Sequence, residues 1–196
     1  MLQFIDALSY VRRTVIIAVL LLAGVASLGL NAASIHWSGR QIVLATMPVD
    51  PRSLFQGDYV ILNYQISSLS KDLFDSSELD TEIVAGQSIY VELQPGAAVW
   101  TPARASLRHI APSGENVVIQ GRLEYIWAQK LGDAAPLRVK YGIESFLVPE
   151  GEGLAIEQLR NASDRVTVRV SVVSDGAALP QNILVDGKPV FIDSGM

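Results

Sequence analysis

The sequence predicts a mainly β protein, a compact barrel or sandwich with one short helix, preceded by a single N-terminal transmembrane helix. Two observations predict it. From Arg40 onward, apolar residues recur with period two in short runs, separated by Gly, Pro, Asp and Ser. Before that, Thr14 to Ala33 is apolar and carries no charged residue.

The N-terminal run matches the ~20 apolar residues a helix needs to cross ~30 Å of hydrocarbon. Arg12 and Arg13 precede it and the next cation is Arg40, which predicts a cytoplasmic N-terminus and an exported C-terminal part. Trp37 suits an interfacial anchor. A cleaved signal peptide is the alternative, but its apolar core should run only ~7–15 residues and end in small residues. Leu30-Asn31-Ala32-Ala33-Ser34 does not supply that site. The expected organisation is therefore residues 1–13 in the cytoplasm, 14–33 as anchor and 34–196 as one extracytoplasmic β-rich domain. Gly24 and Gly29 are five apart, which is not the four-residue spacing of a helix dimer seam.

Within the domain the runs 41–46, 59–66, 88–93, 103–110, 116–121, 137–148 and 165–173 read as strands. In the last, Val166, Val168, Val170 and Val172 alternate with Thr167, Arg169 and Ser171. Two closing strands, 183–185 and 189–192, flank Asp186-Gly187, a strong hairpin signal. Residues 153–160 read as the helix, and the Ser/Asp/Glu-rich stretch 67–82 as a solvent-facing loop with at most a short helix.

Charge and composition exclude several functions. Asp6, Arg12 and Arg13 are the only charges before residue 34, so 13 Lys and Arg stand against 19 Asp and Glu in the domain. An acidic domain lacking a basic stripe is a poor nucleic-acid binder. The absence of cysteine removes disulfides, thiol catalysis and thiolate zinc sites. His36 and His109 are the only histidines, too few for a histidine-rich metal centre, and His109 reads as structural. No metal or cofactor is expected.

The distinctive local feature is the run from Val49 to Tyr64. Asp50 can cap a helical turn with Pro51 at its first position, beside Arg52. Gly57 can end that turn, and Asp58 can accept bonds from its amides as a strand begins. Alternation places Asp58, Val60, Leu62 and Tyr64 on one face, and Tyr59, Ile61 and Asn63 on the other.

This stretch closely resembles the signature of the GDYxxLxY family of bacterial membrane-anchored proteins, as Gly57-Asp58-Tyr59, Leu62 and Tyr64. The likeness extends to Tyr141-Gly142-Ile143-Glu144 and Val148-Pro149-Glu150-Gly151, and so covers most of the chain. Members have no established activity. They resemble partners of multi-spanning membrane proteins, which implies a place at the inner membrane with the domain outside the cytoplasm.

A weaker likeness is to bacterial signal peptidases, through Pro51 and Gly57-Asp58. There the nucleophile's position falls on Val49, and Thr46-Met47-Pro48 matches at the wrong spacing. Lys140 with Thr46 or Ser53 would be the catalytic pair, although strand alternation reads Lys140 as an outward residue. Glu144, Glu150 and Glu152 read as a solvated turn before a cation site. Trp100, Trp127, Tyr90 and Tyr125 read as core or rim before a ligand groove. Asn161-Ala-Ser163 is a sequon without force in a bacterium. The expected function is a non-catalytic envelope module docked to a multi-spanning partner. The alternatives are a membrane-tethered hydrolase using a Ser/Thr–Lys pair, and a sensor with Arg52, Tyr59 and Tyr64 lining a pocket.

Overall fold

In a computed structural model, the described residues are 10–47, 59–124, 129–133, 136–147 and 166–192. One long helix, α1 (Tyr10–Ser38), leads directly into the first strand, β1 (Arg40–Met47). Every large apolar side chain described from Val15 to Val25 is exposed. On either side of this stretch a hydroxyl turns back on the helix itself: Thr14 donates to the Tyr10 carbonyl and Ser27 to that of Gly24. Among the described residues, no helix is long and apolar enough to cross a membrane. The expected transmembrane span is thus not supported by them.

The rest is mainly β, as alternation predicts. One five-stranded sheet runs β12 (Lys188–Ile192), β11 (Ala178–Val185), β10 (Val166–Val172), β1 and β3 (Asn63–Tyr64). A second runs β4 (Ser68–Leu69), β8 (Leu137–Lys140), β7 (Val117–Leu123), β5 (Ser88–Gln94) and β6 (Thr101–Ser106). A two-stranded piece pairs β2 (Tyr59–Ile61) with β9 (Ser145–Leu147). All pairings are antiparallel.

The inward rows of both large sheets meet in one hydrophobic cluster. The first supplies Ile42, Leu44, Val168 and Val170; the second supplies Ile89, Val91, Ile119 and Val139. Single backbone bonds stitch the sheets together at their borders, Trp100 N–H to the Val43 carbonyl (2.8 Å) and Gln120 N–H to that of Gly176 (2.9 Å). The expected hairpin forms at Asp186-Gly187, where both residues adopt positive φ, 52° and 77°, as a two-residue type I′ turn requires.

Several elements differ from expectation. The single strand expected over 137–148 is two, β8 and β9, broken at Gly142 (φ 79°). The strand expected over 103–110 starts at Thr101 and ends at Ser106, so His109 lies beyond it. The strand expected over 59–66 is interrupted at Leu62 and ends in a 3-10 turn at Gln65–Ser67. The loop expected over 67–82 holds β4 and two more 3-10 turns, capped by Ser70 and Asp75 side chains. The helix expected over 153–160 lies outside the described residues.

Alternation puts Glu92 on the outer face of β5, yet it is only 3% exposed, because the 107–116 loop folds over it. Its carboxylate accepts from Arg104 Nε (3.0 Å), the Ser113 amide (2.7 Å) and Asn116 Nδ2 (3.0 Å). Burial pushes the Glu92 pKa upward, but the bonds from Asn116, Ser113 and Arg104 outweigh it and hold it below the usual carboxylate range. A depressed folded-state pKa stabilises the protein above the unfolded glutamate value, and that contribution disappears as pH falls through the lowered one. Glu92→Ala should therefore cost about 1–3 kcal/mol in urea unfolding at neutral pH, because the Ser113 amide and Asn116 Nδ2 lose their acceptor, whereas half-exposed Arg104 stays solvated. The difference from wild type should narrow below the glutamate range.

Candidate functional site

The described half of the signature lies inside the protein. Leu62 and Tyr64 share a face, as their spacing predicts, and both are fully buried. Tyr64 donates its phenol to the Ile143 carbonyl at 2.7 Å. In the opposite direction Tyr141 donates to the Ile66 carbonyl, also at 2.7 Å. Leu62 N–H completes the contact by donating to the Glu144 carbonyl at 2.7 Å. Two segments far apart in sequence thus hold one another through reciprocal tyrosines.

Local chemistry explains the turn they grip. Gly142 takes the left-handed conformation, which a residue with a Cβ adopts only at a cost. The Glu144 carboxylate reaches back to accept from the amides of Tyr141 (2.5 Å) and Gly142 (2.9 Å), satisfying donors that the broken strand would orphan. Burial first, and the Glu144 charge second, push both phenol pKa values well above the ordinary tyrosine range.

A groove of about 500 Å³ opens beside this clasp, between β7, the end of β8 and the turn before β11. Lys140, Tyr141, Gly142 and Glu144 border it on one side, with Gln120, Arg122 and Glu124 on the other. Lys140 Nζ is 2.7 Å from a Glu124 carboxylate oxygen. That hydrogen bond and charge raise the lysine's pKa, the opposite of what a neutral amine base needs. Thr46 Oγ1 is bonded to the Val166 carbonyl at 2.7 Å. Lys140 is exposed between buried Val139 and Tyr141, the outward strand residue that alternation reads.

The other candidates are dispersed. Asp50, Pro51, Arg52, Gly57, Asp58, Glu150 and Gly151 lie outside the described residues, as do Ser53, Glu152, Tyr125 and Trp127. Tyr59 is described in its backbone alone, which pairs with Leu147. Trp100 lies under the Arg40 guanidinium, 5.3 Å from the ring centre, whereas Tyr90 meets His109 edge-on at 5.2 Å. Among the described residues no group of His, Cys, Asp and Glu could hold a metal ion. Alternation gives no hint of the Glu92 cluster or of Arg122 as a groove residue, because both depend on how distant segments fold together.

A mainly β protein of two antiparallel sheets, with its signature leucine and tyrosine spent on closing the fold, is the class these features define. The chain belongs to the family described as GDYXXLXY protein, which matches residues 21–183. No curated protein and no solved structure matches it.

Tyr64→Phe and Tyr141→Phe should each leave a buried carbonyl without its donor, at about 1–3 kcal/mol. Thermal and urea unfolding of both single variants and the double variant should give a coupling energy clearly different from zero, since both phenols serve the same contact. Full additivity would show that the two bonds act independently.

Proposed function

We propose that the chain is a membrane-anchored, non-catalytic envelope protein whose extracytoplasmic β domain docks with a multi-spanning membrane protein. One observation carries the anchor. Val15, Ile16, Ile17, Val19, Leu20, Leu21, Leu22 and Val25 are all exposed on α1. At ~3.6 residues per turn they point in every direction around the helix. Water does not favour such a surface, and hydrocarbon does. The uncharged run Thr14 to Ala33 and the Arg12-Arg13 pair before it support the same reading and its orientation.

Docking draws its support from the family and from the chemistry of the described residues. Lys140 is held protonated by Glu124, and the signature tyrosine Tyr64 is occupied within the fold. These contacts weigh against Lys140 as a neutral amine base and against Tyr64 as a pocket-lining residue.

The test is made in the native membrane with tagged full-length protein. The protein should resist alkaline extraction, and protease added outside the inner membrane should digest the β domain. Mild-detergent purification should then recover a stoichiometric multi-spanning protein. Release by alkali or protection from the protease overturns the anchor, and recovery of the chain alone overturns docking.

A further inference from the structure

We infer that the end of the β domain where α1 leaves it sits on the lipid surface of the bilayer, with the loop between β5 and β6 at headgroup level, an assignment that rests on the anchor reading above. Three placements bring that loop to the exit of α1. Leu93, next to last in β5, pairs with Val117, the first residue of β7. Val117 and Val118 border a cleft of about 340 Å³ that is also lined by Ser38, the last residue of α1, and by Arg40. The Arg40 guanidinium lies over the Trp100 ring at 5.3 Å, and Trp100 N–H reaches the Val43 carbonyl of β1. Both ends of the loop, Gln94 and Trp100, are thereby held beside the residues that follow the helix. Helix length then sets the height. Ser38 lies five residues past Ala33, where the uncharged run ends, a rise of about 7.5 Å at ~1.5 Å per residue. The headgroup layer is ~5–8 Å thick on each side of the hydrocarbon, so Ser38 and Arg40 reach that layer and no deeper.

The chemistry at that height fits lipid. Leu93 to Ala103 carry no charge, although Gln94 to Ala98 are exposed. The exposed segments at 70–82, 107–116 and 174–177 each carry charged residues. An uncharged loop loses little when it leaves water for the interface, whereas a charged one must keep its hydration. Half-buried Trp100 is the residue type that interfaces favour, an apolar body with one polar edge. Arg40 is the one charged residue that lines the cleft, and the acidic residues of the neighbouring segments, Glu115 and Asp175, do not line it. Among the described residues Arg40 forms no ion pair, and stacking on Trp100 holds its guanidinium in place. A guanidinium so placed matches the phosphate of a phospholipid headgroup.

The experiment exploits the absence of cysteine. A polarity-sensitive fluorophore is attached to Ala97→Cys in the loop, or to Ala85→Cys as a control, in the full-length protein reconstituted alone into vesicles of phosphatidylethanolamine and phosphatidylglycerol. Ala85 is also exposed and lies just before the opposite end of β5, ~20 Å away along the strand. Lipid carrying a nitroxide on its headgroup should quench the label at 97 at least threefold more than the label at 85. Arg40→Glu and, separately, Ala98→Glu should each cut the quenching at 97 at least twofold while the circular dichroism stays that of the folded protein. Equal quenching at the two positions, or stronger quenching at 85, overturns the assignment, and flotation of the protein with the vesicles then leaves the anchor intact. Unchanged quenching at 97 in both charge variants overturns it as well. Protein that fails to float with the vesicles overturns the anchor itself, and the assignment falls with it.

Discussion

The reciprocal bonds between Tyr64 and Ile143, and between Tyr141 and Ile66, decide how the two halves of the domain meet. Each phenol is buried, and each carbonyl it serves would otherwise lack a donor in an apolar setting. The net gain from making such a bond is about 1 kcal/mol, whereas leaving the group unpaired costs up to ~3 kcal/mol. The asymmetry matters more than the gain. Any arrangement that separates the 62–66 segment from the 141–144 turn strands several polar groups at once, including the Leu62 amide and the Glu144 carbonyl. Few alternatives to this packing are tolerable.

The same contact shapes the surface. Gripping the turn at Gly142 pulls the chain off the edge of β7 after two residue pairs, and the groove lies where β8 would have continued. The signature therefore acts at a distance from its own position. Its leucine and second tyrosine serve the core, and the exposed chemistry nearest them belongs to Arg122, Glu124 and Lys140. Near the 107–116 loop, Glu92 plays a comparable part, binding that loop down through a buried carboxylate.

Much of the fold was legible because alternation is local. The valines of β10, the shared face of Leu62 and Tyr64, and the Asp186-Gly187 hairpin follow from side-chain period and turn chemistry. The break in 137–148 was hidden because Val139, Tyr141 and Ile143 keep a perfect period of two across it. Gly142 was the only local sign, and a glycine in a strand pattern marks a bulge or kink as readily as a break. Glu92 reads as solvent-facing, and only a loop arriving from twenty residues away buries it. The groove was invisible for the same reason, although Tyr141, Gly142 and Lys140 had each been singled out on other grounds. The first half of the signature, Gly57-Asp58, lies outside the described residues.

The clasp is tested most directly by spectrophotometric titration of the tyrosines in the folded protein. The chain has six tyrosines, and ordinary phenols ionise near pH ~10. Tyr64 and Tyr141 should remain protonated while exposed tyrosines ionise, and both should appear together only as the protein unfolds. Because their folded-state pKa values are raised, their contribution is complete below the unfolded tyrosine value and is lost as pH rises above it. If all six phenols ionise in the ordinary range while the β-sheet signal stays intact, the two tyrosines are not buried donors and the account of the clasp is wrong.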